Sequence, residues 1–345
     1  MKAEPADQPL FPDASTALVK RFLSPALFER LSCLQTGSGF TLARAIRSGR
    51  QNPDSSIGIY AGDAESYALF KAVFDPVIKA YHQISGPVCH VSDLGLSALP
   101  DLDPDRLYIL SSRVRVARNL AGYPFTPLIS SRQRRLLEKE IIRAVTALPP
   151  PFQGQYHAMT CLDLSQIAVQ TAAGTAFLEG DRFQAAAGIT REFPRCRGVY
   201  AGHDKKFFVW VNEEDHLRII SMEKTGSLSS VFNRLILALD RLERSVAFAS
   251  DPCLGFLSAC PTNIGTAMRA GVHIRLPKLE QHPLLLNQLA RDHGLQIRGT
   301  GGEKTAVYGS VFDISNRHRL GIGETRIIQT LHTGIAAIIK TEKSL

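Results

Sequence analysis

The chain of 345 residues contains neither a G-x-x-x-x-G-K-[ST] nor a G-x-G-x-x-G loop, so any nucleotide it binds is held without those glycine cradles. Its six cysteines form no C-x-x-C pair and no disulfide-dense spacing, which suits a reducing compartment. No stretch approaches bilayer-spanning length. The opening "MKAEPADQPLFPDAS" has no apolar run behind Lys2, unlike a secretory leader; a cytoplasmic protein without membrane contact is expected. There is no Lys/Arg-rich tail and no basic tract interleaved with aromatics, which argues against nucleic acid. Yet 40 Lys+Arg against 32 Asp+Glu give a net charge of +8. That excess suits anionic partners met at concentrated sites.

The length predicts one large or two unequal domains. Residues 1–95 read as helical: "ALVKRFLSPALFERLSCL" and "ESYALFKAVFDPVIKAYH" carry apolar residues at helix-like intervals. The second is preceded by a turn-rich loop and starts at Asp63 or Ser66. "SDLGLSALPDLDPDR" (92–106) is the boundary, and residues 96–345 form the second domain. Strands are predicted at 107–116, 207–211, 217–222, 254–260 and 272–277, and helices near 131–147, 227–246, 283–293 and 324–341. Runs of strands with helices beside them predict an α+β fold, an antiparallel sheet backed by helices.

"YILSSRVRVARNL" (108–120) alternates Arg113 and Arg115 with Val114 and Val116. On a strand, Ser111, Arg113 and Arg115 share one face, and Ser112, Val114 and Val116 the other. "VWVNEEDHLRIISM" (209–222) reads as a hairpin turning at Asn212–His216, with Glu214 four residues before Arg218. "ACPTNIGTAMRAGVHIRLPKL" (259–279) has no acid but holds Cys260, Arg269, His273 and Arg275. Such basic surroundings would lower the Cys260 pKa and keep a thiolate, with Thr262 donating to it. "IRGTGGEKTAVYGS" (297–310) places Arg298, Gly299, Gly301, Gly302 and Glu303 in a loop that reads as a lid. Five arginines on strands or strand ends, with two carboxylates and a thiol, suit phosphoryl transfer to a cationic acceptor.

These segments resemble the phosphagen kinases, the ATP:guanidino phosphotransferases, and most closely their arginine kinase branch. The runs are "SSIGIYAGDAESY", "ILSSRVR", "GYPF", "EGDRF", "VWVNEEDHLRIISM", "CPTNIGT", "RAGVHIRLPKL", "RGTGGE", "DISNRHRLG" and "EKSL", in family order from residue 55 to the end. The resemblance implies a small all-helical N-terminal domain and a larger domain with an antiparallel sheet flanked by helices. It implies ATP binding by Ser111, Ser112, Arg113, Val114, Arg115, Arg218, Arg269, Ala270, Gly271, Val272, His273, Arg298, Gly299, Thr300, Gly301, Gly302 and Glu303. Catalysis falls to Glu214, Glu303, Cys260, Arg218 and Arg298. The guanidinium would lie between Glu214, Glu303 and Cys260, and its far end against Ser55, Ser56, Ile57, Gly58 and Tyr60. Asp54 and Arg182 match a pair that bridges the domains on closure. Mg2+ accompanies ATP or ADP, held by nucleotide oxygens and water, with Glu213 in its outer shell and no direct protein ligand. A monomer is expected over a dimer.

Glu303 distinguishes the chain from creatine kinases, which carry an apolar residue there. The family's nucleoside-binding histidine before "EGDRF" falls on Gly174, and Gly301 replaces an arginine common in arginine kinases. Arginine is the first acceptor and taurocyamine, or another small guanidine, the second. A bacterial-type protein-arginine kinase would lack the helical N-terminal domain. A catalytically inactive polyanion-binding protein would show binding that falls steeply with salt.

Overall fold

The computed structural model describes residues 10–299 and 309–345. Of the glycine-rich loop, Arg298 and Gly299 are described, whereas Thr300, Gly301, Gly302 and Glu303 lie outside the described residues. The N-terminal part is helical: α1 (Pro25–Ser32), α2 (Leu42–Ala45), α3 (Arg47–Gln51), α4 (Glu65–Leu69) and α5 (Lys71–His82). The first helical segment breaks at Ser24. Pro25 has no N–H to donate and disfavours helix in the residue before it, and the Ser24 hydroxyl accepts from Leu27 N at 3.2 Å as the cap of α1. Asp63 sets the start of α4, its Oδ1 accepting from the Ser66 amide (2.9 Å) and hydroxyl (2.7 Å). Along α5, Val73, Phe74, Val77 and Ile78 form the buried stripe and join Phe40, Ile46 and Phe70 in one core.

The larger part is built on β1 (Ile109–Arg118), β2 (Gly154–Ala158), β3 (Gly198–Gly202), β4 (Phe207–Val211), β5 (Leu217–Glu223), β8 (Met268–Arg275), β9 (Leu295–Arg298) and β10 (Val311–Asn316), with the two-residue pair β6 (Ser250–Asp251) and β7 (Gly255–Phe256) apart. The eight strands run in the order β2-β3-β4-β5-β1-β8-β10-β9, and each neighbouring pair is antiparallel. Helices α6 (Ser131–Thr146), α7 (Leu164–Ala172), α8 (Arg182–Ala187), α9 (Leu228–Glu243), α10 (Pro283–Asp292) and α11 (Glu324–Ser344) flank it. The main core lies under one sheet face, where Val114, Val116, Ala270, Val272 and Ile274 pack with Leu235 and Leu239 of α9 and Ile328 and Leu331 of α11. A smaller core of Ile167, Phe177, Phe208 and Trp210 closes part of the opposite face.

Between α5 and β1 the chain makes no regular element but is fastened at intervals. Asp93 N donates to Glu324 Oε2 at 2.7 Å, and Ser97 N to Asn233 Oδ1 at 2.8 Å. The buried Asp103 carboxylate accepts the amides of Leu107, Tyr108 and Ile109 at 3.1, 2.7 and 2.6 Å, which launches β1.

The expected strand at 254–260 is reduced to Gly255–Phe256; beyond it the chain turns into a 3-10 turn at Pro261–Asn263. Strands β2, β3, β9 and β10 and helices α2, α3, α7 and α8 were not anticipated. Replacing Asp103 by Ala leaves three amides without their acceptor and is expected to cost about 2–4 kcal/mol. Denaturant unfolding checks this: the midpoint falls at unchanged slope, whereas a change under about 0.5 kcal/mol would remove Asp103 from this role.

Candidate active site

Strand register alone gathers the arginines. Across β1 and β8, Arg115 lies opposite Arg269, Arg113 opposite Gly271 and Ser111 opposite His273. Asp313 of β10 lies opposite His273, and Arg298 of β9 opposite Asp313. On the other side, Ala117 lies opposite Arg218, and Arg218 opposite Trp210. Paired residues share a face, as do residues two apart. Arg113, Arg115, Arg218, Arg269 and Arg298 therefore stand on one face of the sheet. It is the face turned away from the main core.

A cavity of about 1040 Å³ opens over it, lined by Ser111, Arg113, Arg115, Arg269, His273 and Arg298 among others. Gly271 and Val272 also border it. Ser112, Val114 and Ala270 do not present side chains there: Ser112 donates its hydroxyl to Thr225 O at 2.6 Å, and Val114 and Ala270 are core residues. The two-residue period of a strand makes this unavoidable, so any ligand contact of these three runs through backbone.

The cluster is strongly cationic and, among the described residues, only partly compensated. Burial, then Arg218 and Arg269, lower the Arg113 pKa to about 10; burial and the neighbouring arginines press Arg115 well below its ordinary value. Nε and Nη2 of Arg113 are buried with no partner among the described residues. Arg269 donates Nη2 to Asp313 Oδ2 at 2.6 Å and Nε to Ser315 Oγ at 3.2 Å. Arg298 Nη2 reaches Gln296 Oε1 at 3.4 Å. Trp210, the single tryptophan, carries the guanidiniums of Arg113 and Arg218 at 5.5 and 5.4 Å from its ring.

Arg218 links this face to an acidic turn. Glu213 holds it through Oε1 to Nη1 and Oε2 to Nη2, both at 3.0 Å, and Glu214 Oε2 lies 3.3 Å from Nη2. As expected, β4 and β5 form a hairpin turning through Asn212–His216. Asn263 Nδ2 donates to the same Glu214 oxygen at 3.3 Å, and Arg319 Nη1 to Asn263 Oδ1 at 2.8 Å. Asp215 Oδ1 accepts from Ala259 N and from Asn119 Nδ2, both at 2.7 Å, which brings the 259–263 turn against the hairpin. Burial first, then the adjacent acids, push the Glu214 carboxyl well above the usual carboxylate range, against the pull of Arg218 and Arg115.

Cys260 is buried beside Glu214, its Sγ 3.1 Å from Thr262 Oγ1. The expectation of a pKa lowered by basic neighbours is overturned: burial and then Glu214 push the thiol well up, and Thr262 only partly offsets them. The arginines near it in sequence are carried away on β8. Its surroundings are Glu214, Asp215 and the buried phenols of Tyr60 and Tyr67, with Arg319 the nearby cation.

The helical part reaches the same place. Ala61 N donates to Ala259 O at 2.8 Å, and Tyr60 is buried near Cys260 and Glu214. Ser55 and Ile57 are buried and Ser56 exposed. Gly58 takes φ +73°, and a Cβ there would meet Ala17 Cβ at 2.7 Å, so only glycine lets the loop pack this closely. Arg182 forms an ion pair with Asp54 and donates to Asn52 Oδ1 at 3.1 Å, joining the two parts on this side. Sequence reasoning missed Asp313, Trp210, Asn263 and Arg319, although all four lie within the runs that carry the resemblance.

The Glu214 carboxyl releases its proton at higher pH when folded than when unfolded. Its burial therefore costs nothing below the unfolded carboxyl range and progressively more as pH rises through the folded pKa. Glu214→Gln is expected to melt roughly 2–5 °C above the parent at pH 8, the gap closing by about pH 4. Thermal scans at both pH values check this, and a variant less stable at pH 8 contradicts it.

A family model described as "ATP:guanido phosphotransferase, C-terminal catalytic domain" matches residues 126–345, and one described as "ATP:guanido phosphotransferase, N-terminal domain" matches residues 13–79. The chain is 42% identical over 335 residues to an arginine kinase of Artemia franciscana and to one of Limulus polyphemus, covering 95% of this chain and 93% of each relative. Among solved structures, a lombricine kinase superposes with a TM-score of 0.92 at 32% identity, covering 99% of this chain and 96% of that one. The duplicated taurocyamine kinase of Schistosoma mansoni, with bound transition state analog components, gives 0.91 at 32% identity over 96% of this chain and 47% of that one.

Proposed function

The chain belongs to the ATP:guanido phosphotransferase family, and from that premise we propose that its acceptor is free L-arginine and its site works by direct in-line transfer. Family membership gives the reaction class, ATP-dependent phosphorylation of a guanidino group. The observation that carries the mechanism is the set of five arginines on one sheet face, ending at Glu214 and Cys260. Arginine is favoured over taurocyamine because relatives named arginine kinase reach 42% identity, while the solved lombricine and taurocyamine kinases stand at 32%.

Arg113, Arg115, Arg269 and Arg298 hold the nucleotide phosphates, and Arg218 meets the oxygens of the migrating phosphoryl group. His273 and Ser111 border the same nucleotide. The acceptor guanidinium lies between Glu214 and Cys260, with Glu303 closing from the loop, and the 55–60 segment receives its amino-acid end. One guanidino nitrogen forms a bond to the γ-phosphorus as the bond to the leaving ADP oxygen breaks, and its proton passes to Glu214. A carboxyl raised by burial suits that step, because it can hold a proton near neutral pH and return it in the reverse direction. The arriving cation favours the Cys260 thiolate electrostatically; no covalent step involves the sulfur. The Asp54–Arg182 pair holds the two parts closed.

Mg2+ would be held by nucleotide oxygens and water, since the two acids that border the cavity among the described residues, Glu223 and Asp313, are already engaged by Arg234 and Arg269. Glu213 would serve as an outer contact to that water, and the ion would neutralise phosphate charge. A monomer is proposed as the working unit.

A coupled ADP-release assay with MgATP and a panel of arginine, taurocyamine, creatine, glycocyamine and a denatured protein tests the acceptor. Arginine should give the highest kcat/KM by at least about tenfold, a difference on the order of 1.4 kcal/mol in transition-state binding. Turnover of taurocyamine without turnover of arginine would replace the acceptor and leave the transfer mechanism standing.

A further inference from the structure

The end of α7 borders the cavity, and it holds a buried hydroxyl that nothing assigned above uses. Thr171 Oγ1 is buried and has no hydrogen-bond partner among the described residues, although the residue borders the cavity. A helical threonine ordinarily returns its hydroxyl to the carbonyl one turn back. An orphaned buried hydroxyl carries a desolvation cost that a ligand can relieve.

The orphan has a neighbour of the same kind. Gly174 N donates to Thr171 O at 2.9 Å, closing a turn in which Gly174 takes φ +69° and a Cβ would stand 3.0 Å from Arg113 Nη1. Arg113 thus lies against the turn, and its own Nε and Nη2 lack partners. Trp210 fixes both: its Nε1 donates to Thr175 O at 3.0 Å, and its ring carries the Arg113 guanidinium. Among the described residues, three donor positions without partners therefore border the same cavity, with no side chain at residue 174 between them. Only a ligand rich in acceptor oxygens satisfies them together.

We propose that Thr171 is a nucleotide-binding residue, its hydroxyl donating to the ADP or ATP held by Arg113, with Gly174 keeping the approach open. This rests on the reading of the cavity as the nucleotide site. Position 171 lies outside every motif that identified the site in the sequence.

Because Trp210 is the single tryptophan and touches both the turn and Arg113, its fluorescence reports binding directly. Titration of the full chain with MgADP compares the parent with Thr171→Val, which keeps the shape and removes the hydroxyl, and Thr171→Ser, which restores it. The valine variant should bind MgADP about tenfold more weakly, the loss expected of one hydrogen bond to a charged group, and the serine variant within about twofold of the parent. Valine binding within about twofold of the parent overturns the assignment. So does a serine variant as weak as the valine one, since packing rather than the hydroxyl would then be at work. If the parent itself shows no MgADP binding by fluorescence and none by calorimetry, the nucleotide reading of the cavity fails and takes the assignment with it.

Discussion

Like charge held at close quarters governs this molecule. Cross-strand neighbours about 5.5 Å apart repel by about 3 kcal/mol per pair of unit charges at an effective dielectric constant near 20. Arg115 faces Arg269 directly, with Arg113 and Arg218 beside them. Nothing local favours such an arrangement. It stands because the opposite face of the same strands is committed: Val114, Val116, Ala270 and Val272 are packed against α9 and α11. Slipping one residue in register would bury the arginines and expose the valines. The core therefore fixes the charges, and the fold carries the repulsion until an anion arrives.

Among the described residues, counter-charge is placed at the edges. Asp313 takes Arg269, and Glu213 and Glu214 take Arg218. The centre, at Arg113, has donors without a partner among the described residues. Positive charge without an internal partner suits a polyphosphate. The acidic turn, whose second carboxyl is destabilised by its own burial, suits a cation that gives up a proton. The two halves of the chemistry meet at Arg218, and the helical part of the chain closes over the acidic half through Tyr60 and Ala61.

Much of this was readable in the letters, and the parts that were not have physical reasons. The alternation at 111–116, the hairpin at 212–216 and the long amphipathic helices at 131–146 and 228–243 are local periodicities, and these survive into the fold. Strands such as "GQYHA" and "GVYAG" were missed because they are short, glycine-bearing and decided by their neighbours. Helix α7 was missed because "LSQIAVQTA" carries no charged residue to mark a solvent face. Cys260 was misjudged because its sequence neighbours are basic, whereas its spatial neighbour is Glu214, brought there by an Asp215–Ala259 hydrogen bond across 44 residues. The inclusion of Ser112, Val114 and Ala270 among ATP contacts came from motif membership, and the strand's own period already placed them on the other face.

If repulsion among the five arginines is the strain that a polyphosphate relieves, then phosphate charge, and not the nucleoside, should stabilise the fold. The most direct measurement is the thermal midpoint of the full chain with ADP and with adenosine at equal concentration and constant ionic strength. This account predicts that ADP raises the midpoint by several degrees while adenosine leaves it within about one degree. Equal shifts from the two ligands, or a shift from adenosine alone, would contradict it.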